Sequence, residues 1–271
     1  MKKLTTISSL IIGLYLVTFS CKTIKSTPKT DNSVSFLSQD KLRNIYQISD
    51  MKITKYSTIL DTIVTNSIFS SGAISSLDTR NPLQLMLFYK QQQEIVLLDN
   101  TLSETNKIAL VFFEWIDLAC MSNRDNAFWL YSKTTQSLIK TNNQGKEISR
   151  FKNIAQLVKK DIDPTGLIEH QNTVYLFDSK HGFLKFDLYG NYIGAIKFEK
   201  AENYKVRGNK IYFKEGNYVF SHNLMDFTTK WECASVDDFE DYEICKNKIV
   251  LLINGKILHE GIDASIKQNR E

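Results

Sequence analysis

The chain has 271 residues and a formal net charge of +4. Without its first 20 residues it loses Lys2 and Lys3 and stands at +2, too little for the concentrated basic face that nucleic acid requires, so nucleic acid is excluded as a partner. Hydrophobic residues make up 42% and aromatics 11%, which supports a large core and argues against a disordered body.

Met1-Lys2-Lys3 opens the chain, residues 10–19 are apolar except around Gly13, Tyr15 and Thr18, and Ser20-Cys21-Lys22 follow. This order is a basic segment, an apolar segment and a small residue before a cysteine, the layout of an export signal. The apolar run is shorter than the roughly 20 residues a spanning helix needs, so cleavage is expected. The segment resembles bacterial lipoprotein signals, in which the cysteine is acylated and becomes the first mature residue; the alternatives are an ordinary secretory signal with an incidental cysteine and an uncleaved anchor. Ser20 and Cys21 fit that pattern, while Thr18 and Phe19 depart from it. The resemblance implies a signal peptide over 1–20, palmitate-type acylation of Cys21 and a membrane partner through that anchor. It places the protein in the cell envelope, and Lys22 resembles signals sorted to an outer membrane. Residues 22–34 are rich in Ser, Thr and Lys and read as a tether, with a reach of roughly 40 Å when extended.

Residues 35–265 read as a repeat, followed by a tail over 266–271. The first part, 45–68, is irregular, with short strands at Met51-Lys52-Ile53, Thr58-Ile59-Leu60 and Thr62-Ile63-Val64. It is a candidate donor of the outer strand that closes a ring. Five apolar runs then share one frame: Met86-Leu87-Phe88-Tyr89, Phe128-Trp129-Leu130-Tyr131, Val174-Tyr175-Leu176-Phe177, Ile211-Tyr212-Phe213 and Ile249-Val250-Leu251-Leu252. Asn126, Asn172, Asn209 and Asn247 stand two places before the last four, where a tight turn suits asparagine. Each run leads through a polar turn to another strand, then a second turn (Asn142-Asn143-Gln144-Gly145, Asp187-Leu188-Tyr189-Gly190, His222-Asn223) and an outer strand. Four strands every 37–46 residues are the mark of propeller blades. A continuous apolar run suits a strand covered on both faces. The fold class is therefore all-β, a propeller of about six four-stranded blades; a sandwich or barrel is the alternative. Phe151, Ile154, Ala155 and Val158 lie on one helical face, which predicts a short inserted helix near 151–160, stopped by Asp163-Pro164.

The stretch from Asn172-Thr173-Val174-Tyr175-Leu176-Phe177-Asp178 through Phe183-Leu184-Lys185-Phe186-Asp187 to Gly190 and Gly194 resembles NHL-like and other six-bladed propellers. With the lipid signal, this is similar to envelope lipoproteins of the β-barrel assembly machinery. Residues 81–99 resemble a further group of envelope lipoproteins.

Chemistry is sparse. The sequence has no nucleophile elbow, zinc-protease helix, phosphate loop, dinucleotide fingerprint or EF-hand. His170, His181, His222 and His259 fall in separate turns or repeats, so no metal and no cofactor is expected. Cys120, Cys233 and Cys245 are expected to be free and packed, since Cys233 and Cys245 fall on an outer and an inner strand. Asp237, Asp238, Glu240, Asp241 and Glu243 are a candidate partner-binding patch; the alternative readings are a calcium site and a solvated loop. Trp115, Trp129 and Trp231 are expected in the core, with a sugar-binding floor as the alternative. The function expected is a non-enzymatic, lipid-anchored scaffold that contacts other envelope proteins. The alternatives are a glycan or small-molecule binder and a metal-dependent hydrolase.

Overall fold

The computed structural model describes residues 35–49, 51–67, 72–123, 126–198, 201–234, 238–245 and 248–261. The signal, Cys21, the tether, Asp237, Asn247 and the tail lie outside the described residues.

Six antiparallel sheets follow one another along the chain. The first comprises β1 (Ser35–Gln39), β2 (Ile45–Ser49), β3 (Lys52–Tyr56) and β4 (Thr62–Ser67). The second comprises β5 (Ser76–Asp78), β6 (Leu85–Tyr89), β7 (Glu94–Leu98) and β8 (Glu104–Ala109). The third comprises β9 (Leu118–Met121), β10 (Phe128–Ser132), β11 (Ser137–Thr141) and β12 (Glu147–Phe151). The fourth comprises β13 (Gly166–His170), β14 (Thr173–Asp178), β15 (Gly182–Phe186) and β16 (Tyr192–Ile196). The fifth comprises β17 (Tyr204–Arg207), β18 (Lys210–Glu215), β19 (Tyr218–Asn223) and β20 (Thr229–Ala234). Among the described residues the sixth has three strands, β21 (Asp241–Cys245), β22 (Lys248–Ile253) and β23 (Lys256–Gly261). The six sheets form a ring, a six-bladed β-propeller. The first strands converge on one central cavity, and each blade runs outward from there in chain order.

The apolar runs are the second strands, and they explain the core. It is divided into six slabs, one at each blade joint. In β6, Met86 and Phe88 pack towards the third blade, while Leu85, Leu87 and Tyr89 pack towards the first. Side chains alternate across a strand, so a strand covered on both sides must be apolar throughout. Each fully buried Leu, Ile or Phe there contributes about 1.5–3 kcal/mol. Leu37, Ile45, Val250 and Leu252 form the slab between the sixth and first blades.

Two expectations for the first repeat are corrected. β1–β4 form a sheet of their own, so this repeat donates no strand to another blade. Residues 58–60 are not a strand but the corner between β3 and β4. Ser57 Oγ accepts from the backbone N–H of Ile59 and Asp61, and Leu60 takes a left-handed φ of 66°.

That corner recurs. The side chains of Asp99, Asn142, Asp187 and Asn223 each accept from the N–H two places on, and Leu102, Gly145, Gly190 and Phe227 then take positive φ. The local hydrogen bond fixes the turn, and the left-handed residue returns the chain into the outer strand. Gly190 needs its missing side chain for a second reason: a Cβ there would sit 2.1 Å from the Phe151 ring of the preceding blade.

The asparagine frame holds in part. Asn126 (φ 45°) and Asn172 (φ 62°) are left-handed at the corner between first and second strands, but at Asn209 the left-handed residue is the neighbouring Gly208 (φ 55°). The inserted helix α1 spans Ile154–Val158 and buries Ile154 and Val158 against the joint of the third and fourth blades. It ends before Asp163-Pro164, because Lys159 turns left-handed and its N–H bonds back to Ala155 and Gln156 carbonyls.

Candidate functional site: the hub channel

The central cavity has a volume of about 560 Å³ and is lined by all six first strands. Its chemistry is carried by two cationic stitches, each spanning three blades.

The first stitch centres on Arg80, just past β5. Its guanidinium pairs with Asp78 and donates to the backbone carbonyls of Met121 on β9 and Glu169 on β13. The Met121 N–H returns a bond to Asp78 at 2.9 Å. Burial pushes the Asp78 carboxyl up, but the Arg80 charge and these hydrogen bonds outweigh it and hold the group below the ordinary carboxylate range. For Arg80, burial works against the charge and the Asp78 pairing overcomes it, so its proton is held more tightly than usual.

The second stitch centres on Lys205 of β17. Its ammonium donates to Asp241 at 2.9 Å and to the carbonyl of Leu37 at 2.7 Å, while Leu37 N–H also bonds Asp241. Beside it Arg207 donates to both oxygens of Glu243 at 2.8 Å. Arg207 Nε is buried without a hydrogen-bond partner in the protein.

Two further buried groups surround the hub. The Glu169 side chain accepts from Ser122 Oγ at 2.7 Å and Trp129 Nε1 at 2.6 Å, and its other oxygen has no partner. The Cys120 thiol is pushed up to about 12, chiefly by burial. A thiol held that far from ionisation is a poor nucleophile at neutral pH.

The acidic run predicted as a patch is divided by the fold. Asp241 and Glu243 lie on β21 with side chains 5% and 0% exposed and face the hub cations. Asp238 is 82% exposed and pairs with Lys214 at 3.3 Å. The backbone carbonyl of Glu240 accepts from Asn203. Among the described residues no group of three or more His, Cys, Asp or Glu is placed to hold a metal ion. His170 bonds the Gly208 carbonyl, His181 pairs with Asp178, and His222 bonds Thr229. Cys120 is free and buried; Cys245 is free and half-buried, with Sγ accepting from Gln39 at 2.8 Å. The side chains of Cys233 and His259 lie outside the described residues.

Trp129 is fully buried, but Trp115 is corrected: it is 42% exposed in the loop between β8 and β9. Sequence reasoning passed over Arg80, Lys205, Arg207 and Glu169. The one available signal was the two-residue spacing of Asp241 and Glu243, which puts both on one side of a strand.

No protein-family model and no curated protein matches the chain. Solved structures do. The WD40 domain of Pan2 from Neurospora crassa aligns over 83% of this chain and 74% of its own, with a TM-score of 0.56 and 6% identity. A streptogramin B lyase aligns over 82% and 76%, with a TM-score of 0.55 and 14% identity. A Bacteroides caccae protein of unknown function aligns over 74% and 78%, with a TM-score of 0.50 and 10% identity. At these identities the likeness shows the fold alone.

Proposed function

We propose that this propeller is a non-enzymatic scaffold, held to the bacterial cell envelope by a lipid on Cys21, that binds another envelope protein through one face of its ring. The observation that carries the reading is a set of exposed apolar side chains on the face formed by the turns after the first and third strands. Leu42, Ile59, Leu83, Tyr189, Met225 and Phe227 are 64–79% exposed there. They sit on hydrogen-bonded corners or turns spread over four blades, a footprint suited to a macromolecule and too broad for a small ligand. The anchor rests on the sequence of residues 1–22.

The test is isolation of the protein under mild detergent from envelope membranes. An envelope protein should accompany it in stoichiometric amount and be lost with Tyr189→Ser or Phe227→Ser. Recovery of the protein alone counts against the reading, and Cys21→Ala should release it from the membrane fraction.

A second reading is favoured by the hub cavity, where Arg207 Nε offers an unused donor. It is binding of a glycan or small molecule in the channel. An equilibrium binding screen against cell-wall fragments separates the two, since a scaffold of this design has no affinity for them.

A further inference from the structure

The two faces of the ring differ. The first strands all run the same way: contacts stay level around the hub, as between Gln171 and Asn209 or Arg80 and Met121. The start of β1 at Ser35 therefore lies on the same face as the loop over residues 110–117 that leads into β9. This is the face opposite the one assigned above to a protein partner.

The 110–117 loop is pinned by hydrogen bonds and packing on its inner side and is apolar on its outer side. Leu110, Phe113 and Ile116 pack into the joint of the second and third blades. Gln93 clamps the loop, donating to the Ile116 carbonyl at 2.8 Å and accepting from Ile116 N–H at 2.7 Å, while Leu110 N–H bonds the Gln93 carbonyl. This fixed base holds Val111 outward at 69% exposure, Phe112 at 94% and Trp115 at 42%. A large aromatic held in water by a clamped backbone is organised in advance for a partner and needs little further ordering on contact.

Beside it, on the third and fourth blades, the face is basic, while on the fifth and sixth blades the exposed acids Glu202 and Asp238 are both paired with Lys214. Lys152, Lys159 and Lys180 stand in neighbouring loops or turns with Lys160 half-buried among them. The nearby acids Glu114 and Asp163 are paired with Arg150 and Lys133, and Asp161 is exposed. Aromatic side chains beside lysines are the chemistry that a headgroup layer accepts: rings at the interface, ammonium groups on lipid phosphates. Ser35, where the described residues begin, lies on this same face, and Cys21 is 14 residues earlier in the sequence.

We propose that this face lies against an anionic lipid bilayer, with Phe112 and Trp115 entering the headgroup region and the lysines around α1 on lipid phosphates. The orientation rests on the anchor reading above; the chemistry of the face does not. Among the described residues no helix is long and apolar enough to cross a membrane.

The test uses the full protein purified from its membrane and placed with vesicles of phosphatidylglycerol and phosphatidylethanolamine, or of phosphatidylcholine, with and without brominated acyl chains. Tryptophan emission should be quenched in the brominated anionic vesicles, and less so in phosphatidylcholine. The quenching should be lost in Trp115→Phe and reduced in Phe112→Ser, with the unfolding midpoint of both variants unchanged. Equal emission with and without bromine overturns the proposal, as does quenching that survives Trp115→Phe. Protection of Phe112 by a bound protein in place of lipid overturns it as well. Mass analysis of Cys21 in the same sample separates the two readings. An unacylated protein that shows the quenching refutes the anchor alone, and an acylated protein without quenching refutes the face alone.

Discussion

Arg80 of the second blade donates to the backbone carbonyl of Glu169 in the fourth, with the third blade's Met121 carbonyl bound on the way. Lys205 repeats the arrangement on the other half of the ring, from the fifth blade through Asp241 of the sixth to Leu37 of the first. Each cation therefore ties three blades that share no strand.

Arg80→Met should destabilise the fold by about 3–5 kcal/mol, because it leaves Asp78 charged and buried without its partner. Arg80→Lys should recover little, since one ammonium cannot reproduce a planar fork serving a carboxylate and two carbonyls. Denaturant unfolding of the three proteins checks this. A double variant, Arg80→Met with Asp78→Leu, should be more stable than Arg80→Met alone.

Acid should act through Asp78. Its folded pKa is depressed below the ordinary 3.8, so its contribution is complete above that value and is lost as pH falls towards the folded pKa. The unfolding free energy of the native protein should thus decline as pH falls below about 4, and Asp78→Asn should decline less over the same range. Parallel curves for the two proteins would show that Asp78 has no part in acid unfolding.

The seam between the sixth and first blades depends on side chains. Asp241 accepts from Leu37 N–H and Lys205, and Gln39 donates to Cys245. Lys205→Met should cost about 3 kcal/mol by leaving Asp241 and Glu243 short of a cation. Amide hydrogen exchange should accelerate first in β1 and β21, with β10 and β14 protected as before. Uniform acceleration in all blades would contradict a local seam.

Gly190→Ala should destabilise by about 2–4 kcal/mol, combining a left-handed backbone with a clash against Phe151. Gly208→Ala is the control. It also has positive φ, but open space surrounds it, so about 1 kcal/mol is expected. Combining Gly190→Ala with Phe151→Leu should restore part of the loss. Thermal unfolding of the four proteins distinguishes the two contributions.

The second strands were legible in the sequence because a ribbon buried on both sides has no polar alternation to confuse it, and the Phe128-Trp129-Leu130-Tyr131 run shows this. The corners were half legible. Gly145 and Gly190 mark themselves, but Leu60, Leu102 and Phe227 hold the same left-handed place with side chains that give no such warning. The hub was not legible, because its partners come from different blades: Arg80 and Glu169 are 89 residues apart in the chain. The five-acid run misled for a related reason. Neighbours in sequence such as Asp238 and Asp241 are sent to solvent and to the hub by the entry into β21. Phe112 and Trp115 were hidden in an apolar stretch whose other half, Leu110, Phe113 and Ile116, is core.

Among the described residues every sheet is made from one uninterrupted stretch of chain, and no strand joins a sheet from another part of the sequence. Recombination that deletes or duplicates such a segment would leave each surviving sheet whole, with only the curvature of the annulus to readjust. The architecture can in this way vary its circumference over evolutionary time without passing through an intermediate that has a torn sheet.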